Sequence, residues 1–174
     1  MLPETGRGSL DAQPRAARPL LIPSSRPTRE FWISNEDLTT DEGWRLLSWC
    51  LSHGAEEFTL DFLPESGELV RWLLRPFWRR TAIRECMRNG PGREVDLFDL
   101  SEGSIPAMRT LLPNGLLSWW FSDYGSLPYV EDPAIYRRGE LLVGVIAHDG
   151  RAAVRVTDGE RAELHLLGVR PEPG

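Results

Sequence analysis

Two Asp-Gly dipeptides, Asp149-Gly150 and Asp158-Gly159, stand nine residues apart near the end of the chain, each flanked by β-favouring residues. Asp-Gly suits the tight turn of a hairpin because both residues tolerate the positive backbone angles such a turn needs. The spacing predicts three antiparallel strands over residues 140–148, 151–157 and 161–168. In the second, Ala152, Val154 and Val156 alternate with Arg151, Ala153, Arg155 and Thr157. In the third, Ala162, Leu164 and Leu166 alternate with Arg161, Glu163 and His165. Register follows from keeping the apolar sides together, since a slip of one residue turns every apolar side chain to water. A two-residue first turn sets Val145 opposite Val154 and Val143 opposite Val156. A three-residue second loop, Asp158-Gly159-Glu160, then places Val154 beside Leu164 and Arg155 beside Glu163. Such a meander needs a cover on its apolar face, which the preceding residues must supply.

Residues 30–169 read as one domain, with 1–29 a Pro- and Arg-rich arm and 170–174 a tail. Phe31-Trp32-Ile33 is a short strand. Thr39 with Glu42 three residues on forms a capping box, opening a helix that runs to about His53 and stops at Gly54. Glu57–Leu63 alternates like a half-buried strand, so the start of the domain is βαβ-like. A second helix over 66–75 should end or bend at Pro76, which has no N–H for an intrahelical bond. Residues 81–87 and 94–100 form a hairpin, 104–112 a short helix, 116–121 a strand and 123–133 a long loop. The fold class is α+β: one mostly antiparallel, twisted sheet with two or three helices on one face, closed by the C-terminal meander.

Composition limits the chemistry. The chain of 174 residues carries a net charge of −6, as suits a soluble protein, and this argues against broad nucleic-acid binding. All 20 basic residues are Arg, so sites built on a phosphate-binding or Schiff-base Lys are excluded. No Gly-x-Ser-x-Gly elbow and no Gly-x-Gly-x-x-Gly cradle occurs, and no cofactor is expected. Two Cys make no disulfide framework, and no apolar run is long enough for a signal peptide or membrane span; a cytoplasmic location with no membrane association is expected.

Four constellations stand out. Cys50 and His53 lie one helical turn apart, the placement of a thiolate–imidazole pair, although a buried Cys beside a helix-end His is the plainer reading. Asp61, Asp96 and Asp99 lie on strands that would bring carboxylates to one end of a sheet, as in metal-dependent or acid/base hydrolysis. Residues 71–93 carry seven Arg against Glu85 alone, with Trp72, Phe77 and Trp78 interleaved. Arg with aromatics also grips single-stranded nucleic acid, whereas the plain alternative pairs these Arg with the acidic strands and packs the Trp rings inside. Finally, Trp119-Trp120 must point to opposite faces of a strand, sending Trp120 outward beside Asp123, Tyr124 and Tyr129.

The leading expectation is a protein-binding module with an unidentified protein partner, a toxin or an enzyme. Its aromatic surface comprises Trp120, Asp123, Tyr124 and Tyr129, with Arg79, Arg80 and Arg84 as a second, charged patch. Size, acidity, Trp content and the α+β pattern are similar to those of small bacterial immunity and antitoxin proteins, a likeness of composition that no single residue carries. The alternative is a carboxylate-based hydrolase, with or without a metal, using Asp61, Asp96 and Asp99. A nucleic-acid-binding accessory protein using the Arg71–Arg93 segment comes third.

Overall fold

Arg151–Val156, the most cleanly alternating stretch, is a strand deep in an eight-stranded sheet, with Ala152, Val154 and Val156 fully buried. The structure, a computed structural model, describes residues 27–34, 38–62, 67–86, 90–113, 115–116, 130–146 and 149–173. The strands are β1 (Arg29–Ser34), β2 (Glu57–Phe62), β3 (Trp78–Cys86), β4 (Gly90–Asp99), β5 (Val130–Arg137), β6 (Glu140–Ile146), β7 (Arg151–Val156) and β8 (Glu172–Pro173). They stand in the order β3-β4-β2-β5-β6-β7-β1-β8, and every neighbouring pair is antiparallel. Four helices, α1 (Thr40–Ser52), α2 (Gly67–Leu74), α3 (Ile105–Leu111) and α4 (Asp158–Leu166), each contribute apolar residues to one core against one sheet face. This is the α+β arrangement that the sequence predicts. Among the described residues no helix is long and apolar enough to cross a membrane.

The local signals at the start of the domain act as their chemistry requires. Thr39 accepts a hydrogen bond from Glu42 N while the Glu42 carboxylate accepts from Thr39 N, closing the capping box of α1. Helix α2 ends at Leu74 and gives way to a 3-10 turn, Arg75–Phe77, that contains Pro76. β1, α1 and β2 form the βαβ-like unit, with β7, β6 and β5 inserted between its two strands.

The C-terminal meander is three-stranded but is composed of β5, β6 and β7. The expected strand over 161–168 is instead helix α4. Thr157 accepts from Glu160 N and the Glu160 carboxylate accepts from Thr157 N, so Thr157-Asp158-Gly159-Glu160 is a second capping box and no hairpin turn. Arg137 also reaches Glu160. Leu164 enters the core, but Leu166 is 87% exposed, which the assumed alternation does not allow. The β6–β7 register is Val143↔Val154 and Val145↔Ala152, two residues from expectation. The connection between Ile146 and Arg151 is four residues long and not a two-residue turn. A two-residue shift preserves the faces, so Val154 is buried all the same, between Val143 and Phe31. Arg155 meets Glu30 and Glu85, not Glu163. The expected loop over 123–133 gives way to β5 from Val130, and the expected tail supplies β8, which pairs with Phe31 and Trp32. Gly168, after α4, adopts φ +88°, and a Cβ there would collide with the Glu42 carboxylate that caps α1.

Two substitutions test these assignments by urea denaturation. Val154→Asp should destabilise by about 3–5 kcal/mol, since it buries a charge without a partner. Thr157→Ala should cost about 1 kcal/mol by removing the cap of α4; a cost near zero would contradict the helix.

Candidate interaction surface

Alternation in β2 sends Phe58 and Leu60 into the main core and turns Glu57, Thr59 and Asp61 to the opposite face. There a second, smaller core gathers Cys86, Val95, Leu97, Ala134, Tyr136 and Leu141. It exists because the sheet curls: β3 touches β6 although three strands separate them. The Tyr136 hydroxyl donates to Glu85 O at 3.0 Å and lies 3.5 Å from Cys86 Sγ. Burial pushes the Tyr136 phenol above its ordinary pKa. Arg155 donates to both oxygens of Glu85 at 2.6 Å and also to Glu30. That hydrogen bonding holds the Glu85 carboxyl below the usual carboxylate range.

Beside the small core lies a fan of three arginines. Glu57 is 1% exposed, and Arg80, Arg79 and Arg84 approach its carboxylate at 2.6, 3.5 and 3.7 Å. Arg79 also pairs with Asp99. Three guanidinium groups therefore meet two carboxylates, and Glu57 Oε2 and Arg84 Nε have no hydrogen-bond partner. Next to the fan, a cleft of about 620 Å³ is lined by Ser48, Ser52, Glu56, Arg79, Asp99 and Glu102, among others.

The sequence candidates fall as follows. Arg79, Arg80 and Arg84 come together, but around Glu57, and Arg93 pairs with Asp61. The continuous, unpaired Arg stripe that the nucleic-acid reading requires is not formed by these four. Asp61, Asp96 and Asp99 have separate partners, Arg93, Thr81 and Arg79. Asp96, between Val95 and Leu97, faces away from the small core that those two enter. Among the described residues no group of three or more His, Cys, Asp or Glu is placed to hold a metal ion. Cys50 is wholly buried and its thiol is pushed up to about 12 by burial. His53 stacks on Trp49 at 4.1 Å, with Nδ1 2.9 Å from Trp49 O and Nε2 2.8 Å from Glu163. Both ring nitrogens thus have partners other than the thiol. Trp119, Trp120, Asp123, Tyr124 and Tyr129 lie outside the described residues.

Among the described residues, the large aromatic side chains that stand in solvent are ones the plain reading of the sequence packs inside. Trp72 is 71% exposed and Trp78 53%, with Leu69 and Ile83 also exposed. Helix α2 buries Gly67, Val70 and Leu74, so Leu69 and Trp72 occupy its other side. Among the described residues β3 is one edge strand, and its outer face carries Trp78 opposite Phe98 and Ile83 opposite Glu94. Arg71 lies over the Phe62 ring at 5.5 Å, and neither it nor Arg75 has an ion pair among the described residues. The spacing of Val70 and Leu74 was the available signal, because it fixes which side of α2 faces the core.

The Arg155–Glu85 tie makes stability depend on acid. A carboxyl whose folded pKa lies below its unfolded value of about 4.5 stabilises fully above that value, and the contribution is lost as pH falls through the folded pKa. The urea midpoint should therefore drop between pH 5 and pH 3, at roughly those limits, and Arg155→Met should lower it at pH 5 while shrinking the acid-dependent drop. An unchanged acid dependence in Arg155→Met would remove Glu85 from this account. No family model, no curated protein and no solved structure matches the chain.

Proposed function

We propose that the chain is a cytoplasmic protein-binding module whose contact surface centres on Trp72 and Trp78. The observation that carries this reading is their exposure on α2 and on the adjoining start of β3, next to Arg71 and Arg75, which have no ion pair among the described residues. Exposed Trp is costly in water, and Trp with Arg is the pairing that dominates interface anchors. Two buried thiols with no disulfide fit a reducing compartment. Small size, net charge of −6 and seven Trp support the more specific form of the reading, in which the partner is a toxin or enzyme that this protein neutralises or regulates. Trp120, Asp123, Tyr124 and Tyr129 belong to the same proposal through the sequence argument alone.

The test is affinity capture from the native cell with the wild-type protein and two variants. Trp72→Ala and Trp78→Ala remove exposed rings, so the melting temperature should stay within about 2–4 °C of wild type. Truncating an interface anchor costs about 2 kcal/mol or more of binding, so partner recovery should fall roughly 30-fold. Undiminished capture by both variants would overturn the surface, and early melting of both would assign the rings to the fold.

A further inference from the structure

Strand β3 changes character along its length. Its end, Arg84–Cys86, is drawn in: Tyr136 takes Glu85 O, Arg155 takes the Glu85 carboxylate, and Cys86 enters the small core. Arg84 itself donates to Ile83 O. Its beginning, Trp78–Thr81, is exposed at every residue and, among the described residues, pairs with β4 on one side only. An edge strand presents alternate N–H and C=O groups to solvent, a template for one further strand.

Resting on the binding-module reading, we infer that this edge takes an extended segment of a partner protein in which acidic and apolar residues alternate. The alternation is that of β3 read through its irregular register between Trp78 and Arg80. Trp78 and Ile83 stand on its outer face, while Arg80, Ala82 and Arg84 turn towards the small core. A paired strand therefore meets apolar surface on one face and guanidinium groups on the other. Arg79 and Arg80 keep part of their surface open, and their cluster holds one more guanidinium than carboxylate. Arg71 and Arg75 on the preceding helix add charge of the same sign. Charge complementarity selects an acidic occupant. A second copy of this chain paired edge to edge would crowd Arg79 and Arg80 of both copies. The chain's own first 26 residues, with Arg7, Arg15, Arg18 and Arg26 against Glu4 and Asp11, carry the wrong sign.

The experiment titrates the full chain with the capped peptide Asp-Val-Glu-Ile-Asp-Val-Glu-Thr and follows backbone amides by NMR and hydrogen exchange. Binding should slow exchange of outward-facing amides between Trp78 and Ala82. The Asn/Gln version of the peptide, and a version N-methylated at alternate residues, should each bind roughly tenfold more weakly. Equal binding of the N-methylated peptide, or protection located away from β3, would overturn strand pairing. Concentration-dependent protection of β3 without peptide would assign the edge to a second copy, and tighter occupancy by a single-stranded oligonucleotide would assign it to nucleic acid; either overturns the inference. Failure of every peptide while Trp72→Ala and Trp78→Ala still lose partner capture would sink this inference alone and leave the binding surface standing.

Discussion

A carboxylate withdrawn from water must have its charge answered inside the fold, and Glu57 is answered entirely by β3. β3 is not its neighbour; β4 runs between them, so the guanidinium groups reach across two strand spacings, about 10 Å in a flat sheet. Only long side chains on a curled sheet can do this. Curl and ion cluster therefore imply one another, and the small core around Tyr136 fills the hollow between them. Such a cluster is weak evidence for net stability, because desolvation offsets much of the Coulombic gain. Its stronger effect is on register. A one-residue slip of β3 would swing Arg80 and Arg84 to the outer face and leave Glu57 buried with its charge unmet. The same constraint fixes Ile83 outside, between Ala82 and Arg84, while the irregular register between Trp78 and Arg80 keeps Trp78 opposite Phe98 on the face away from the small core.

The other face of the sheet is held by different physics. All four helices contribute apolar residues there, from Leu46, Leu47 and Cys50 on α1 to Leu164 on α4, and the driving force is burial. Polar contacts on this side act as alignment pins. Glu163 of α4 accepts from Trp49 Nε1 at 3.1 Å and meets His53 at 2.8 Å, which ties the end of α1 to α4. Glu42 caps α1 directly under Gly168, so two helix ends share one small space. The helices can thus be placed by packing and trimmed by a few hydrogen bonds, whereas the curled face depends on charge.

What the sequence made legible follows from how local each cause is. The capping box at Thr39 and the stop at Pro76 depend on a few adjacent residues and are where the spacing puts them. Thr157-Asp158-Gly159-Glu160 carries the same capping pattern, yet Asp-Gly and the alternation of Ala162, Leu164 and Leu166 favoured a strand; two local codes competed and the cap won. β5 was hidden by Asp132, which adopts φ +45°, by Pro133 and by an irregular register at Ile135–Tyr136. Strand order was not legible, because nothing in β1, α1 or β2 announces that β5–β7 will stand between the two strands. The Glu57 cluster was half legible: the charge imbalance of the Arg segment implies pairing with acidic strands, but convergence of three arginines on one carboxylate requires the curl. The exposure of Trp72 depends on which side of α2 meets the core, a tertiary fact.

The two faces come together at the start of β3. Long charged side chains ordinarily lose about 2 kcal/mol of rotamer freedom each when a partner immobilises them, and this weakens recognition through exposed arginines. Arg79 and Arg80 have already lost that freedom, because Glu57 and Asp99 hold them in the free protein. A buried anion therefore serves as a mould for a cationic edge, and the fork of Arg suits it where a Lys would offer a single point charge. Trp78 sits on the same strand with its orientation set by the same register. On the proposed reading, an incoming partner would meet arginines whose ordering cost was met in folding, because the internal carboxylate already holds them.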